Sequence, residues 1–443
     1  MLKTIESPNI SDIDNKSISR LIDNDEIEEL IRKSFAPYSH WEKIKHWPMP
    51  EGIKPIEVWA VIKKVVRADF GRRKSIITDE KGKQFSWIPW LPGLEELLHQ
   101  IDMKLGGNLS VDNQFGEDMQ NRLLSRGVME EAIASSQLEG AHTSRKAAKQ
   151  IILEGRKPAN KDEHMIVNNY EAMRLIETNL KNGKLNEDIL LELHRVLTKN
   201  TLEESDIARY RKDEDDIVVG GVNNSEIYHI PPSEEFVRKE IKKLIGYANN
   251  DTKDSSFIHP IIKAIIIHFW IGYLHPFVDG NGRMARALFY WYLLREGYWV
   301  FSYLPLSKVI KDSPAQYRDA YMYSEQDNND LTYFIDYNIR KITQAIREFE
   351  EYAERKHKEN TKISKVAKEK FHLNDRQTQL LRYFYKNKDA STSITTHMKI
   401  YGVSRMTASK DLKILEGKKL IRPKRVGRNI YYYATDSVLG LFD

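Results

Sequence analysis

Residues 261–295 contain two apolar stretches separated by a short segment rich in helix-breaking residues. Apolar residues recur at helical spacing up to Leu274, and Pro276 predicts that the first helix ends near that point. Gly280-Asn281-Gly282 then permits a tight turn with positive φ, and helical spacing resumes from Arg283. The sequence therefore predicts a helix–loop–helix with backbone N–H groups of the loop at a helix N-terminus, where unpaired donors and the helix dipole favour an anion.

The side chains around this loop suit the chemistry of a polyphosphate. Arg283 and Arg286 are three residues apart and therefore share one helix face beside the backbone donors. Asp279 offers the hard oxygen ligand that Mg²⁺ prefers when it also binds substrate phosphates. His275 can act as a general base, because an ordinary histidine pKa of about 6.5 lies close to working pH. A base, a metal ligand, an anion site and two arginines together indicate phosphoryl or nucleotidyl transfer.

The segment from His275 to Arg286 resembles the signature of the Fic family, His-x-Phe-x-(Asp/Glu)-Gly-Asn-Gly-Arg-x-x-Arg, with every specified position present. The resemblance covers roughly residues 127–337 and implies a protein adenylyltransferase, which moves AMP from ATP onto a Ser, Thr or Tyr hydroxyl of a protein. ATP and Mg²⁺ are the implied substrate and metal. A relative that transfers phosphate instead departs from this pattern, so the intact pattern favours AMP transfer.

The resemblance also assigns roles to individual residues. His275 would deprotonate the target hydroxyl, Phe277 would anchor the loop in the core, and Asp279 would hold Mg²⁺. The anion hole and the phosphate-binding arginines would be formed by Gly280, Asn281, Gly282, Arg283 and Arg286. Arg211 and residues 218–232 resemble the family's flap, in which Val219, Gly220 and Gly221 would border ATP and an extended target segment. Tyr317 is expected beside the adenine.

A second segment resembles the inhibitory motif of the family, (Ser/Thr)-x-x-x-Glu-(Gly/Asn). It comprises Ser135, Glu139 and Gly140, with the first two one helical turn apart and the glycine at a position typical of a helix end. The implied role is that Glu139 pairs with Arg286 and blocks the γ-phosphate, either within one chain or between two subunits of a homodimer. The same glutamate would also suit removal of AMP, and the sequence leaves both roles open.

The remaining regions flank this helical core, giving expected boundaries of 1–110, 111–355, 356–370 and 371–443. The expected fold class is mainly α: a small α/β N-terminal region, a Fic helical fold with a β-hairpin flap, a helical linker and a winged-helix domain. In the N-terminal region we predict a helix over 25–34, a strand over 58–66 and a hairpin whose turn lies at 79–83.

The C-terminal segment, from residue 371, resembles a winged helix-turn-helix. Helices are predicted over 375–385, 391–398 and 404–415, followed by two strands that flank a basic loop. The residues that could contact DNA phosphates are Arg405, Lys410, Arg422, Lys424, Arg425 and Arg428. An alternative function is therefore a DNA-binding transcriptional regulator whose Fic unit binds ATP or modifies itself.

Composition excludes several other classes of protein. The 443-residue chain has no cysteine, which excludes disulfides, cysteine-ligated zinc and thiol nucleophiles. The most apolar stretch, 261–273, contains Lys263 and His268 and is shorter than the roughly 20 apolar residues that a membrane span needs. We therefore expect a cytoplasmic protein without a membrane partner.

Overall fold

Helices make up most of the chain, and its strands form three small sheets. The computed structural model describes residues 2–68, 71–105, 117–154, 156–221, 226–251, 256–387, 390–426 and 429–439. The chain separates into two units, residues 1–347 and 348–443. The expected mainly helical architecture is confirmed. Within these described ranges, no helix combines the length and the apolar character that a membrane crossing requires.

Four short helices open the first unit and pack around a shared apolar core. They are α1 (Asn15–Ile22), α2 (Asp25–Phe35), α3 (Trp41–Ile44) and α4 (Pro55–Val61). The side chains of Asp14 and Asn24 accept hydrogen bonds from the first turns of α1 and α2, which fixes where these helices begin. Ile27, Ile44 and Val58 are completely buried between the helices. The helix predicted over 25–34 is confirmed.

The strand predicted over 58–66 is wrong, because this segment is helical. α4 continues directly into a single π turn, Ile62–Val66. Pro55 fits the first turn of α4, and the carboxylate of Glu57 accepts a hydrogen bond of 2.7 Å from the backbone N–H of Lys54. These start signals and the burial of one helical face outweigh the apolar alternation that indicated a strand.

A β-hairpin follows these helices, at the position predicted for it. β1 (Arg73–Thr78) pairs antiparallel with β2 (Gln84–Trp87). The connecting turn is closed by a hydrogen bond of 2.9 Å from the N–H of Gly82, which has a φ of +80°, to the carbonyl of Asp79. The turn therefore uses the conformational freedom of glycine.

The rest of the first unit is a helical assembly with one further two-stranded hairpin. Its elements are α5 (Leu94–Leu105), α6 (Glu117–Leu138), α7 (Arg145–Glu154), α8 (Lys161–Leu175), α9 (Glu187–Thr198), β3 (Val219–Gly220), β4 (Ile227–His229), α10 (Glu234–Ala248), α11 (Pro260–Leu274), α12 (Asn281–Arg295), α13 (Leu306–Lys311), α14 (Pro314–Gln326) and α15 (Thr332–Glu369), which extends past residue 347. α11 and α12 pack against each other, and residues 261–271 and 283–294 are buried on every side. These two helices are therefore the centre of the unit and hold the loop between them in place.

The second unit contains further short helices and one antiparallel sheet. Its elements are α16 (Asp375–Lys386), β5 (Ser391–Thr392), α17 (Ile394–Tyr401), α18 (Arg405–Gly417), β6 (Ile421–Val426), β7 (Asn429–Ala434) and α19 (Asp436–Leu439). The sheet order is β5-β7-β6. Leu381, Phe384, Leu412 and Leu415 are completely buried between the helices and the sheet.

One predicted helix of this unit begins later than expected. Ser391 and Thr392 pair with β7 instead, and the side chain of Ser393 accepts a hydrogen bond from the backbone of Thr396 to start α17. The helix then continues to Tyr401, three residues beyond its predicted end, and stops at Gly402, whose φ is +60°. Pairing with β7 makes Ser391 and Thr392 a strand rather than the start of the helix. Local residue spacing does not indicate this long-range contact.

Candidate active site

The loop between α11 and α12 begins with a left-handed residue. His275 has φ 45° and ψ 58°, and its N–H donates a hydrogen bond of 3.0 Å to the carbonyl of Ile271. Pro276 follows and cannot continue a helix. α12 starts after Gly280, whose φ is +85°. The predicted helix–loop–helix is confirmed, and the N–H groups of the first turn of α12 lie at the loop.

The side chain of Asn281 fastens this loop from inside. Its Oδ1 accepts a hydrogen bond of 2.9 Å from the N–H of Phe277, and its Nδ2 donates one of 2.8 Å to the carbonyl of the same residue. Asn281 is only 1% exposed. Its side chain is therefore committed to the loop, so any contribution of Asn281 to an anion site comes from its backbone.

His194, from α9, supports the loop from the other side. Its ring stacks on Phe277 with centroids 3.9 Å apart, and its Nε2 lies 3.0 Å from the carbonyl oxygen of Asp279. Its Nδ1 accepts a hydrogen bond of 2.9 Å from the N–H of Ala208, so the proton of the neutral ring lies on Nε2. Burial lowers the pKa of His194 to about 4, which keeps this donor arrangement at neutral pH.

Arg211 holds the backbone around His275. Its Nε donates a hydrogen bond of 2.8 Å to the carbonyl of His275, and its own N–H donates one of 2.9 Å to the carbonyl of Pro276. A further guanidinium nitrogen bonds the carbonyl of Pro232, which follows the flap. The side chain is 4% exposed. A single buried cation therefore ties the loop to the end of the flap.

His275 is a neutral base in this environment. Burial, followed by the nearby charge of His229, lowers its pKa to about 3. His229 itself donates from both ring nitrogens, through Nε2 to the carbonyl of Tyr273 at 2.8 Å and through Nδ1 to the carboxylate of Glu325 at 2.6 Å. Burial opposes its protonation, but Glu325 outweighs burial and raises the pKa of His229. His275 therefore has an unprotonated ring beside a fixed imidazolium.

Arg283 lies beside Gly280 and has side-chain donors without a hydrogen-bond partner. Its side chain is completely buried and donates a hydrogen bond of 2.7 Å from Nη1 to the carbonyl of Leu197. Within the described part of the chain, its Nε and Nη2 have no hydrogen-bond partner, and Nη2 lies 3.6 Å from Asp279 Oδ1. A methyl group added to Gly280 would lie 3.0 Å from a Thr198 carbon and 3.5 Å from Arg283 Nη2.

Arg286 contacts the end of α6. Its Nε donates a hydrogen bond of 2.8 Å to Ser135 Oγ, and its Nη2 donates one of 3.0 Å to the Ser135 carbonyl. The same Nη2 lies 2.9 Å from Glu139 Oε1. Burial disfavours the charge of Arg286, but Glu139 outweighs that effect and raises the pKa of the guanidinium. The contact forms within a single chain.

Glu139 also lies against the glycine of the loop. A Cβ added to Gly282 would be 2.1 Å from Glu139 Oε1 and 3.1 Å from Arg286 Nη1. No side chain fits at position 282 while this carboxylate is present. The carboxylate thus fills the space directly above the first turn of α12.

A further carboxylate of α6, Glu131, was not predicted. It is 2% exposed, and burial raises its pKa. Its Oε2 lies 2.9 Å from the hydroxyl of Tyr290 and accepts a hydrogen bond of 2.8 Å from the N–H of Ser307. Glu131, Ser135 and Glu139 are spaced four residues apart and therefore lie on one face of α6. This spacing is the sequence signal that could have placed Glu131 beside the other two.

Asp279 and the flap complete the set of residues predicted for the site. Asp279 Oδ1 accepts a hydrogen bond of 2.5 Å from the N–H of Gly280, and the side chain is 38% exposed. In the flap, Val219 pairs with His229, and the N–H of Gly221 donates to the Glu226 carbonyl at 2.8 Å. Residues 222–225 lie outside the described residues.

Tyr317 lies on α14 and faces the core side of α11. Its hydroxyl is 2.8 Å from His268 Nε2, and burial raises the pKa of Tyr317. Burial also lowers the pKa of His268 to about 3. The ring nitrogen therefore accepts the proton of the tyrosine, which fixes the orientation of this hydroxyl near Arg286.

The basic residues of the second unit lie at its surface. Their exposed side chains come from α18 and β6 and are those of Arg405, Lys410, Arg422, Lys424 and Arg425. Arg428, also predicted to contact DNA, lies outside the described residues. Asp411 on α18 points inward, where Arg376 Nε bonds it at 2.8 Å and His397 Nε2 at 3.2 Å. The carboxylate of Asp411 is thus internal, whereas Arg405 and Lys410 of the same helix are exposed.

Comparisons with known proteins agree on the family of this region. Residues 184–293 match the Fic/DOC family model. The protein adenylyltransferase Fic of Nematostella vectensis is 32% identical over 133 residues, which are 29% of this chain and 28% of that protein. The protein adenylyltransferase fic-1 of Caenorhabditis elegans is 28% identical over 133 residues, which are 23% of that protein. The matched segment thus spans about a quarter of these curated relatives.

A solved structure shows the same fold over a larger part of the chain. The crystal structure of a Fic family protein from Desulfovibrio desulfuricans G20 superposes with a TM-score of 0.51 at 21% identity. It covers 78% of this chain and 96% of that one. Residues 184–293 are therefore similar to the Fic/DOC family, and the curated relatives of this region carry the name of protein adenylyltransferases.

Proposed function

We propose that this chain is a protein adenylyltransferase that transfers AMP from ATP to a hydroxyl group of a protein. The observation that carries the proposal is the buried guanidinium of Arg283, whose Nε and Nη2 have no hydrogen-bond partner within the described residues, beside the N-terminus of α12. A buried cation with spare donors is stabilised by an anion. The names of the curated relatives indicate that this anion is the triphosphate of ATP.

His275 is the residue suited to take the proton of the acceptor. The pKa of His275 is lowered to about 3, so its ring carries no proton at physiological pH and can accept one from a hydroxyl within hydrogen-bond reach, although it is a weaker base than the ordinary histidine expected from the sequence. The hydroxyl oxygen then forms a bond to the α-phosphorus, while the bond between that phosphorus and the bridging oxygen breaks and pyrophosphate leaves. The positive N-terminus of α12 and the guanidinium groups of Arg283 and Arg286 stabilise the charge on the leaving phosphates.

The residues present also fit Mg²⁺. Asp279 is a half-exposed carboxylate at the edge of the anion site, and among the described residues no cluster of three or more metal-ligating side chains occurs. Such a single carboxylate suits Mg²⁺, which takes its other ligands from substrate phosphates and water. When bound, Mg²⁺ would neutralise phosphate charge, and Asp279 would be its protein ligand.

Glu139 acts as a brake in this proposal. Its carboxylate occupies a donor of Arg286 and the space above Gly282, so a γ-phosphate cannot use either while the glutamate remains in place. Because Ser135 bonds the same guanidinium, the end of α6 holds Arg286 at two points. Removal of AMP from a modified protein, with Glu139 positioning water, is the alternative role of the same residue.

The test uses ATP labelled at the α-phosphate, Mg²⁺ and three purified proteins: the parent, Glu139→Gly and His275→Ala. We expect label on protein with the Glu139 variant and none with the His275 variant. ATP labelled at the γ-phosphate is the matched control, because AMP transfer leaves that label in pyrophosphate. Protein labelled from the γ-phosphate would show phosphate transfer and contradict the proposal.

A second function is proposed for the C-terminal unit, namely binding of duplex DNA by a winged helix-turn-helix. It is supported by the order of elements, with α18 followed by the β6–β7 hairpin, and by the exposed basic side chains on α18 and β6. Asp411 of α18 is buried and so does not oppose these cations, while Glu416 near the end of the helix is partly exposed. The test is binding of a random-sequence duplex to the full chain, and binding that does not weaken as salt rises would contradict phosphate recognition.

A further inference from the structure

One side of α6 contacts the region of α12 and α13 at four regularly spaced positions. Gly127, Glu131, Ser135 and Glu139 are spaced four residues apart and therefore follow one side of the helix. The last two contact Arg286, whereas the first two contact residues 302–307, which follow α12. The contact of Glu139 with Arg286 is thus the end of a longer row of contacts, and the first half of that row has no role in the proposed transfer.

The first position of this row leaves no room for a side chain. A Cβ added to Gly127 would lie 2.5 Å from the carbonyl oxygen of Ser302 and 2.6 Å from the Cα of Tyr303. Both of these atoms belong to the backbone, which cannot turn aside as the end of a flexible side chain can. The absence of a Cβ at position 127 therefore determines how closely α6 approaches residues 302–303.

The buried carboxylate of Glu131 holds the next turn of α6. Its Oε2 accepts a hydrogen bond of 2.8 Å from the N–H of Ser307 and lies 2.9 Å from the hydroxyl of Tyr290, and its Oε1 contacts the hydroxyl of Ser307. The Tyr290 hydroxyl also accepts a hydrogen bond of 3.0 Å from the N–H of Leu306. Glu131, Ser307 and Tyr290 are each at most 2% exposed. Helices α6, α12 and α13 therefore meet at one carboxylate that water does not reach.

Another side of α6 packs on α8 through longer hydrogen bonds. Asn169 Nδ2 lies 3.4 Å from the carbonyl of Ala132 and 3.5 Å from the hydroxyl of Ser136, both near the limit for a hydrogen bond. The Ser136 hydroxyl donates a bond of 3.1 Å to the carbonyl of Met165. Both contacts of Glu131 Oε2 are shorter than these three. The carboxylate is therefore the better defined of the two attachments of α6.

We propose that Glu131 is a positioning residue of the brake, whose contacts with Ser307 and Tyr290 hold α6 at the axial position where Glu139 meets Arg286. Glu139 lies eight residues beyond Glu131, about 12 Å along the helix at 1.5 Å per residue. A continuous helix carries a shift at one turn to the next, so a change at Glu131 displaces Glu139. The inference rests on the proposed AMP transfer and on Glu139 as its brake.

The first test removes the carboxylate in two backgrounds. In the parent, Glu131→Ala leaves the buried N–H of Ser307 without its acceptor and should raise protein labelling about two- to tenfold, the range that one hydrogen bond supports. In Glu139→Gly the same substitution should give no rise, because no brake is left to displace. A parent rate that does not rise, or an equal rise in the Glu139→Gly background, would overturn the inference.

Glu131→Gln is the matched control. An amide oxygen in the place of Oε2 still accepts from the N–H of Ser307, and the amide nitrogen can donate to the Ser307 hydroxyl. This variant should keep the parent rate, because Glu131 supplies position. A rate equal to that of Glu131→Ala would assign the effect to the charge near Arg286 and refute a positioning role. If Glu131→Ala does not fold, Ser307→Ala decides, since it loses the Oγ contact, keeps the N–H and should still raise labelling in the parent background alone.

Hydrogen exchange of residues 135–139 reports the position of α6 without ATP. We expect exchange to accelerate in full-length Glu131→Ala and to stay at the parent rate in Glu131→Gln. Unchanged exchange in the alanine variant would refute the inference whether or not protein is labelled. Faster exchange in that variant, together with no labelling by Glu139→Gly, would uphold the positioning role and contradict the AMP transfer, so failure of the two proposals can be told apart.

Discussion

Glu139 Oε1 lies 2.9 Å from Arg286 Nη2, and the same carboxylate oxygen stands where any side chain at position 282 would begin. One acidic group therefore pairs with the cation of the site and fills the space above the first turn of α12. The contact joins residues 147 positions apart, so the end of α6 lies against the first turns of a helix from a distant part of the chain.

Replacing Glu139 should activate the protein. In Glu139→Gly the cation of Arg286 and the space above Gly282 become available to ATP. We expect AMP labelling of protein to rise about tenfold or more, because a hydrogen bond to a charged group contributes about 1.5–3 kcal/mol. Gln137→Gly, on the same turn of α6, controls for loosening of the helix and should stay near the parent rate. Equal rates for parent and Glu139→Gly would refute the brake.

The activity should persist at acid pH. The pKa of His275 is lowered to about 3, so its ring stays unprotonated between pH 5 and 8, and the labelling rate of the Glu139→Gly variant should show no half-loss near pH 6.5. A rate that halves at about pH 6.5 would indicate a base with an ordinary histidine pKa.

The lowered pKa of His275 should also make the stability of the fold depend on pH. The unfolded chain takes up a proton on His275 near pH 6.5, whereas the folded chain does so near 3. The group therefore destabilises the fold progressively as pH falls below 6.5 and has no such effect above it. His275→Gln should lose less stability than the parent between pH 7 and pH 5, which urea unfolding at the two pH values would measure.

Arg211 should be needed for transfer although it is buried beneath the loop. Arg211→Lys cannot reproduce the bonds to the carbonyls of His275 and Pro232 with one ammonium group. We expect labelling to fall about tenfold or more, because a hydrogen bond to a charged group contributes about 1.5–3 kcal/mol. Arg209→Lys is the matched control, since that arginine forms partly exposed ion pairs with Asp206 and Asp215. Comparable rates in both variants would contradict a positioning role for Arg211.

DNA binding by the second unit should show the signature of phosphate contacts. Lys410→Ala should weaken binding to all duplexes alike and reduce the slope of log affinity against log salt by about 1. Lys16→Ala, an exposed lysine of α1, should leave the slope unchanged. An unchanged slope for the Lys410 variant would exclude this residue from the interface.

The helix–loop–helix could be predicted because its signals are local. Pro276 cannot extend α11, Gly280 adopts the positive φ that its neighbours avoid, and both are read directly from the sequence. The supports of the loop could not be predicted in the same way. His194 contacts Asp279 across 85 positions, and Arg211 contacts His275 across 64, and no periodicity relates residues so far apart.

The error over 58–66 has a related cause. The strand prediction rests on an alternation of apolar and polar residues, but Val58 to Ile62 are five successive apolar residues, a run that suits a buried helix as well as a strand. Packing against α1 and α2 decides between them, and that packing involves residues far away in the sequence. Local patterns therefore gave the centre of the site, while its supports and the start of α17 depended on tertiary contacts.

The contact between Glu139 and Gly282 has a consequence for how the proposed brake could be released. Arg286 is 3% exposed, and the carboxylate above Gly282 blocks the site by the volume it occupies as well as by its charge. Dissolved ions screen exposed charges, but they do not displace a carboxylate that fills the space above Gly282. If Glu139 is the proposed brake, raising the ionic strength should not activate the parent protein, whereas a change that moves the Glu139 carboxylate away from Gly282 should open the site.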